Sequence, residues 1–174
     1  METIGKKVRL RTVEPSDIDD LYAWWNDKEV AGQYGGIFPL SRPEFDALVD
    51  ENEGWYIIEA LGDRRKVGFI SYFQPRWDYA NLFEIGYRTL PAARGRGYTT
   101  EAVRLLVDHM FGTMKKTVRI EALTDVENVP SQRVLEKNGF KREAVMRKRF
   151  FSDGEYRDDC MYAILRDDWQ KSRG

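Results

Sequence analysis

Two glycines at the junction between an apolar segment and an amphipathic one constrain the fold of this chain more than any other feature. Residues 82–87 have the pattern of a strand, and an amphipathic helix begins within the sequence RGRGYTTEA at residues 94–102. Gly95 and Gly97 let the main chain adopt positive φ and approach a ligand closely. The first N–H groups of the helix and the positive end of its dipole point towards the same place. The junction therefore predicts a binding site for an anionic group.

Three kinds of phosphate-binding loop compete for this junction. A Walker loop is excluded, because the glycine spacing differs and no Lys-Ser or Lys-Thr follows Gly97. A dinucleotide-binding fingerprint has a similar spacing, but Thr100 replaces its third glycine and several elements precede the motif. The third kind is the coenzyme A loop of acyltransferases, Q/R-x-x-G-x-G/A, in which Gly95 and Gly97 take the glycine places.

A second motif downstream favours the third interpretation. The segments EIGYRTLPAARGRGYTTEA and NVPSQRVLEKNGFKREAVMR together resemble the GNAT superfamily of acetyltransferases, and within it the branch of the ribosomal-protein alanine and serine N-acetyltransferases. The resemblance spans nearly the whole chain and implies acetyl-CoA as acyl donor and a primary amine as acceptor. Ala92 departs from the pattern, which has Gln or Arg there, so the loop's main-chain amides are expected to do most of the binding.

Composition bounds the class of protein. The chain has 174 residues, of which 42% are hydrophobic and 33% charged, and this predicts one folded domain over residues 1–174, a monomer or homodimer. A net charge of −1 gives no general attraction to nucleic acid. Cys160 is the only cysteine, which excludes an internal disulfide, and no apolar run approaches the roughly 18 residues of a membrane span. The cytoplasm is the expected compartment.

Hydrophobic periodicity and turn residues predict the order β-α-α-β-β-β-α-β-α-β-β. This order describes an α/β fold, one mixed sheet with helices on both faces, and it matches the fold of the GNAT acyl-CoA N-acyltransferases. Strands are expected at 8–12, 55–61, 67–73, 81–89, 118–123, 140–151 and 156–165. Helices are expected from about 16 to 29, 42 to 50, 98 to 114 and 129 to 138.

The resemblance assigns the cofactor site residue by residue. In this fold the strand that carries Tyr87, Arg88 and Thr89 splays from its neighbour, so that unpaired main-chain groups bind pantetheine and polarise the thioester. The diphosphate would lie on the amides of Arg94, Gly95, Arg96, Gly97, Tyr98 and Thr99. The Arg94 and Arg96 side chains would add charge-assisted contacts. Asn128 is expected to cap the next helix and also to contact the cofactor. The alternative is a surface turn with solvated arginines.

Glu84 is the candidate general base. It lies two residues before Gly86, on the strand beside the expected thioester. An amine acceptor with a pKa of about 8 to 10.4 is largely protonated at neutral pH, so a group must accept its proton directly or through water. The alternative is a carboxylate paired with a neighbouring arginine.

Ser131 is the candidate hydrogen-bond donor to the leaving sulfur or to pantetheine. Its register places the hydroxyl on the same helix stripe as Val134 and Leu135. Many superfamily members have a tyrosine acid where this chain has Leu135, whereas the N-acetyltransferase branch has a serine that matches Ser131. The alternative is a hydroxyl bonded to the carbonyl of the previous turn.

The sequence says less about the acceptor and about metal binding than about the cofactor. His109 and Cys160 cannot form a metal cluster, so no metal is expected. In this fold the acceptor enters between residues 24–39 and 147–159, where Asp153, Glu155, Asp158 and Asp159 would attract a cationic amine or pair with nearby arginines. The first candidate acceptor is a protein N-terminus, and the second is a polyamine or antibiotic. A noncatalytic acyl-CoA-binding module is the alternative from another functional class.

Overall fold

The chain forms a mixed sheet with helices packed on both faces. The computed structural model describes residues 2–35, 39–50, 54–75, 81–152 and 154–173. The described strands are β1 Glu2–Ile4, β2 Val8–Thr12, β3 Trp55–Ala60, β4 Lys66–Phe73, β5 Leu82–Thr89, β6 Arg119–Asp125, β7 Lys141–Ser152 and β8 Glu155–Leu165. The described helices are α1 Ile18–Asn26, α2 Lys28–Ala31, α3 Arg42–Asp50, α4 Tyr98–Thr113, α5 Val129–Lys137 and α6 Arg166–Lys171.

The described strands lie in the order β1-β2-β3-β4-β5-β6-β8-β7. Neighbouring strands are antiparallel except for β5 and β6, which are parallel. The parallel pair follows from the crossover through α4, which begins directly after the glycine loop. The glycine loop therefore lies at the carboxyl end of β5, near the middle of the sheet.

The pairing between β5 and β6 stops after three residues. It runs from Leu82 opposite Arg119 to Glu84 opposite Glu121, although β5 continues to Thr89 and β6 to Asp125. The two strands diverge beyond Glu84, and a cleft opens between them. The splayed strand that the family resemblance implies is thus present in this fold.

Two hydrophobic clusters occupy the two faces of the sheet. The larger one packs α4 and α5 against one face through residues such as Leu106, Met110 and Leu135, all with 0% exposure. The smaller one packs α1 and α3 against the other face and consists of Leu21, Phe45, Trp55, Ile57 and Phe69. The expected α/β class and the placement of helices on both faces are confirmed.

Three details differ from the sequence expectation. The strand β1 and the helix α6 were not expected, because a three-residue edge strand and a six-residue helix carry little periodic pattern. The helix expected from about residue 16 to Glu29 is interrupted at Asp27, whose carboxylate accepts hydrogen bonds from the amides of Glu29 and Val30 at 2.7 and 3.2 Å. Asp27 therefore ends one helix and caps the next. Aspartate side chains often interrupt a helix in this way, because they accept hydrogen bonds from nearby main-chain amides.

No helix among the described residues is both long and apolar enough to cross a membrane. Those residues also contain no cluster of three or more His, Cys, Asp or Glu side chains that could hold a metal ion. Cys160 is buried, as expected for a small core residue.

Candidate active site

A cavity of about 350 Å³ lies in the cleft between β5 and β6. Main-chain and side-chain groups of both strands form its walls, and α5 closes it on one side. Its lining residues include Ile85, Gly86, Tyr87, Arg88, Leu123, Thr124, Asp125, Asn128, Ser131, Arg149 and Asp159. The cleft brings residues from five separate segments of the chain to one place.

The glycine loop has the geometry that its sequence predicts. Gly95 and Gly97 both have positive φ, at 74° and 77°. Gly97 is the N-cap residue of α4, and no side chain caps this helix terminus. The first amides of a 16-residue helix therefore face outwards beside the cleft, where the helix dipole favours an anion.

The two arginines of the loop behave differently from each other. Arg94 is directed towards α2, where its guanidinium donates to the carbonyls of Glu29 and Val30 at 2.6 and 3.0 Å. Its Nε also donates to Thr89 O at 3.3 Å. These carbonyls at the end of α2 need donors, which explains the direction of the side chain. Arg96 is exposed on the loop itself.

The main chain of β5 presents alternate residues to the cleft. Leu90 N donates to Val67 O at 2.9 Å, which fixes the side of the strand that faces β4. Because alternate residues direct their N–H and C=O groups to opposite edges, Tyr87 and Thr89 face the cleft, whereas Arg88 faces β4. The Thr89 hydroxyl lies within hydrogen-bond distance of the Thr99 hydroxyl in the first turn of α4 and joins the strand to the glycine loop.

The side chain of Arg88 is directed towards Trp25 of α1. Its guanidinium donates to the carbonyl of Trp25 at 2.8 Å and lies 4.9 Å from the centre of the Trp25 ring. Burial lowers its pKa. The contact connects the cleft wall to α1 through a cation–π interaction.

Tyr87 and Ser131 form a hydrogen-bonded pair on the cleft wall. The Tyr87 hydroxyl lies 2.8 Å from Ser131 Oγ. Burial raises the pKa of Tyr87 to about 12, and the bond to Ser131 opposes the shift, so the phenol stays protonated at neutral pH. Ser131 is positioned by Asn128, whose side-chain oxygen caps α5 by accepting from Ser131 N at 3.2 Å. The predicted cap is confirmed. The contact between Tyr87 and Ser131 was not predicted, because tertiary packing of a helix residue against a strand residue brings them together and sequence spacing does not show it.

Glu84 lies at the apex of the cleft, at the last residue of β5 that pairs with β6. It is not among the residues that line the cavity. Its carboxylate makes no hydrogen bond or ion pair with the described residues. Burial raises its pKa to about 7, the negative charges of Glu121 and Asp159 add to this, and Arg149 opposes it. An ionisable group poised near neutral pH has the property that a general base requires.

Asp159 is a second carboxylate on the cleft. It lies on β8, opposite Asp125 of β6, and is 8% exposed. Burial raises its pKa to about 6, with Arg149 opposing and Asp125 adding to the shift. Asp125 is neutralised by an ion pair with Arg157, whereas Asp159 has no ion pair among the described residues. The sequence placed Asp159 on the acceptor side but did not distinguish it from its acidic neighbours.

The segment after α1 forms the remaining wall. Ala31, Tyr34 and Gly35 line the cavity, and Arg157 lies 5.6 Å from the centre of the Tyr34 ring. Trp25 instead packs against the smaller hydrophobic cluster. Residues 36–38 and Asp153, which also belonged to the predicted acceptor region, lie outside the described residues.

Comparison with known proteins identifies the class that this fold and cleft define. The model of the acetyltransferase (GNAT) domain matches residues 7–141. The chain belongs to this family. It is an acetyl-CoA-dependent N-acetyltransferase.

Two relatives span most of the chain. The probable N-acetyltransferase YjcK of Bacillus subtilis is 37% identical over 126 residues, which cover 72% of this chain and 69% of the relative. The spermidine N(1)-acetyltransferase of Escherichia coli is 24% identical over 163 residues, which cover 91% of this chain and 86% of the relative. The name of the first relative states no acceptor, and the name of the second states spermidine. The relatives therefore identify the reaction but not the acceptor of this chain.

Solved structures share the architecture. A GNAT-family acetyltransferase from Bacillus anthracis has a TM-score of 0.80 at 27% identity, with 96% of this chain and 99% of that chain covered. The spermidine N-acetyltransferase of Vibrio cholerae, in complex with CoA and spermine, has a TM-score of 0.81 at 20% identity, with 94% and 98% covered. The ribosomal-protein-S5-alanine acetyltransferase of Vibrio fischeri has a TM-score of 0.80 at 18% identity, with 97% and 98% covered. At these low identities the last two show a shared fold alone.

Proposed function

We propose that this enzyme acetylates a cationic primary amine held in the cleft between β5 and β6. The observation that carries the proposal is the pair of carboxylates, Glu84 and Asp159, which lack ion-pair partners among the described residues beside a cleft that adjoins the cofactor loop. A positively charged ammonium group provides the counter-charge that such carboxylates lack. We also propose that residues 1–174 form one domain. The family model matches residues 7–141, and β8 lies beyond them but pairs with β6 inside them.

Acetyl-CoA would bind along the open edge of β5 and the start of α4. The main-chain groups of Tyr87 and the amide of Thr89 would bind pantetheine, while the carbonyl of Thr89 accepts from Arg94 and the side chain of Arg88 braces the strand against α1. The amides of Gly95, Arg96, Gly97, Tyr98 and Thr99 would bind the diphosphate, and the positive φ of both glycines supports this. Arg94 would support this loop through its contacts with α2, and Asn128 would contact the cofactor from the α5 terminus.

Glu84 would accept one proton from the ammonium group of the acceptor, through water, since its carboxylate lies at the apex of the cleft and not on its wall. The neutral amine then attacks the thioester carbon, and a cleft-facing amide of β5 stabilises the oxyanion. When the C–S bond breaks, the second amine proton passes to the departing thiolate. The products are the acetamide and CoA, and the remaining proton leaves from Glu84.

Ser131 would donate a hydrogen bond to the departing sulfur. A thiol with a pKa of about 8.5 is a good leaving group, so a hydrogen bond suffices without full protonation by a strong acid. Tyr87 supports this role, because a phenol that stays protonated can donate to Ser131 Oγ and leave the serine hydrogen free for sulfur.

Two classes of acceptor are compatible with a cationic amine. The sequence motifs favour a protein N-terminal α-amine, as in the ribosomal-protein branch. A polyamine is the second candidate, favoured by the two separate carboxylates, which suit a substrate with more than one positive charge. The relative named as a spermidine N(1)-acetyltransferase also supports a polyamine acceptor.

Thiol release from acetyl-CoA with a panel of acceptors tests the proposal. The panel contains spermidine, spermine, an aminoglycoside, and peptides that begin with Ala or Ser. We expect one cationic class to give turnover at least about a hundredfold above acetyl-CoA hydrolysis, because oriented attack and general base catalysis act together. Calorimetric binding of acetyl-CoA without thiol release for any cationic amine would contradict the proposal and favour a binding module.

A further inference from the structure

The N-terminal hairpin is held against the cofactor loop by Glu101, in the first turn of α4. Its carboxylate accepts hydrogen bonds from the amides of Lys6, Lys7 and Val8 at 2.8, 2.6 and 2.9 Å. Gly5 permits this approach, since a methyl group at that position would lie 2.6 Å from Glu101 Cδ.

This contact fixes the position of Lys7 beside the two glycines. Its main chain is held on one edge by Glu101 and on the other by Leu61 N, which donates to Lys7 O at 2.9 Å. Its Nζ donates to Arg96 O at 3.0 Å and lies 3.2 Å from the place where a methyl group on Gly97 would be. The ammonium group therefore lies against the uncapped N-terminus of α4.

The ammonium group is incompletely satisfied by the protein. No carboxylate of the described residues lies within ion-pair distance of Lys7 Nζ, and its described hydrogen bond is to a single carbonyl. An ammonium group has three donors, so two remain for a ligand. Its charge also offsets the negative charge of Glu101, which would otherwise weaken the attraction of this helix terminus for an anion.

We infer that Lys7 is a cofactor-binding residue that contacts the diphosphate of acetyl-CoA together with the glycine loop. The inference rests on the proposed placement of that diphosphate at the start of α4. It assigns a binding role to a hairpin that lies about ninety residues before the loop in sequence, outside both motifs.

Calorimetric titration of the Lys7→Met variant with acetyl-CoA and with acetyl-3′-dephospho-CoA tests the inference. We expect the dissociation constant to rise about tenfold for both ligands, because both retain the diphosphate and lose one charge-assisted contact. Lys7→Arg should restore affinity to within about threefold, since it keeps the charge. A loss confined to acetyl-CoA would assign Lys7 to the 3′-phosphate and overturn the inference.

Lys6→Met is the matched control. Lys6 is the exposed neighbour, and its amide is held by the same carboxylate, but no hydrogen bond of its ammonium group is present among the described residues. We expect wild-type affinity for this variant, and unchanged melting temperatures for both. Equal affinities of wild type and Lys7→Met would overturn the inference alone. Failure of wild type to bind either ligand would overturn the placement of the cofactor and the inference with it.

Discussion

At the scale of single residues, the site depends on groups whose protonation is set by burial. Glu84 and Tyr87 lie on opposite faces of β5, three residues apart. Burial raises the pKa of each, to about 7 and about 12, because it disfavours both charged forms. Burial therefore brings the pKa of Glu84 into the neutral range, where the carboxyl group can exchange protons. It keeps the phenol of Tyr87 protonated, so that the phenol can donate a hydrogen bond.

The pH dependence of turnover should follow the ionisation of the Glu84 carboxyl group. A base acts in its ionised form, so kcat/KM is expected to rise with pH and level off above about 7. Glu84→Gln should lower kcat about a hundredfold and remove this rise, while acetyl-CoA affinity stays constant. Initial rates between pH 5.5 and 9 provide the measurement.

Glu121→Gln is the corresponding control. Its charge raises the pKa of Glu84, so its removal should shift the midpoint of the rate profile to lower pH and keep kcat at the plateau. An unchanged profile in Glu84→Gln would show that another group accepts the proton.

Tyr87 and Ser131 should act as a unit. We expect Tyr87→Phe and Ser131→Ala each to lower kcat about tenfold, and the double variant to be little worse than either, because each substitution breaks the same 2.8 Å contact. Values of kcat and KM measured across this cycle test the coupling. Additive losses would show that the two hydroxyls act independently.

At the scale of elements, α4 and the loop before it join the fold to its function. The helix starts with left-handed Gly97, and its other end is held by Arg166, whose guanidinium donates to the carbonyls of Phe111, Met114 and Thr117 at 2.7 to 2.8 Å. One terminus is thus satisfied by the protein, whereas the other keeps its amides available. The amides at the start also carry the positive end of the helix dipole, whereas the carbonyls at the other end carry the negative one, so an anion is expected at the start.

Alanine substitutions of the two glycines should separate backbone strain from ligand binding. Both positions have left-handed φ, so Gly95→Ala and Gly97→Ala should each cost about 1 kcal/mol of unfolding free energy. A Cβ at Gly95 meets open space, whereas one at Gly97 approaches Lys7 Nζ. We therefore expect Gly97→Ala to weaken acetyl-CoA binding more than Gly95→Ala. Chemical denaturation and calorimetry on both variants check these expectations.

At the scale of the whole molecule, a buried charge network connects the sheet to the start of α1. Arg11 of β2 pairs with Asp17, which is fully buried, and with Glu59 of β3. The bond to Arg11 lowers the pKa of Asp17 far below its usual value, although burial opposes the shift. The network fixes α1, and α1 in turn supports the wall of the cleft through Trp25 and Arg88.

Stability should fall in acid because of Asp17. A carboxylate whose pKa is depressed in the folded state stabilises it above the unfolded pKa of about 3.9, and this contribution is lost as the pH falls below that value. Arg11→Met should cost about 2 kcal/mol at pH 7, because it removes the charged hydrogen bonds of Arg11 to Asp17 and Glu59, which keep only Lys66 and Arg9 as partners. It should also reduce the acid dependence between pH 5 and 3. Unfolding free energies of both proteins at these pH values provide the measurement.

Local features were predictable from sequence because their interactions span only a few residues. The left-handed glycines, the Asn128 cap of α5 and the apolar stripe of α4 each depend on neighbours within one or two helical turns. The order of most helices and strands followed from the same periodic patterns. Short elements such as β1 and α6 escaped prediction, because their formation depends on pairing and packing partners elsewhere in the chain.

By itself, the sequence determined that this chain folds as a mixed sheet with a left-handed glycine loop at the junction of β5 and α4. Only the tertiary structure decided which side chains come together: Tyr87 with Ser131, Glu84 near Asp159, and Lys7 with the glycine loop. These contacts depend on strand register and on where β5 and β6 diverge. No pattern of neighbouring residues encodes either, because both arise from the packing of the whole sheet between its helices.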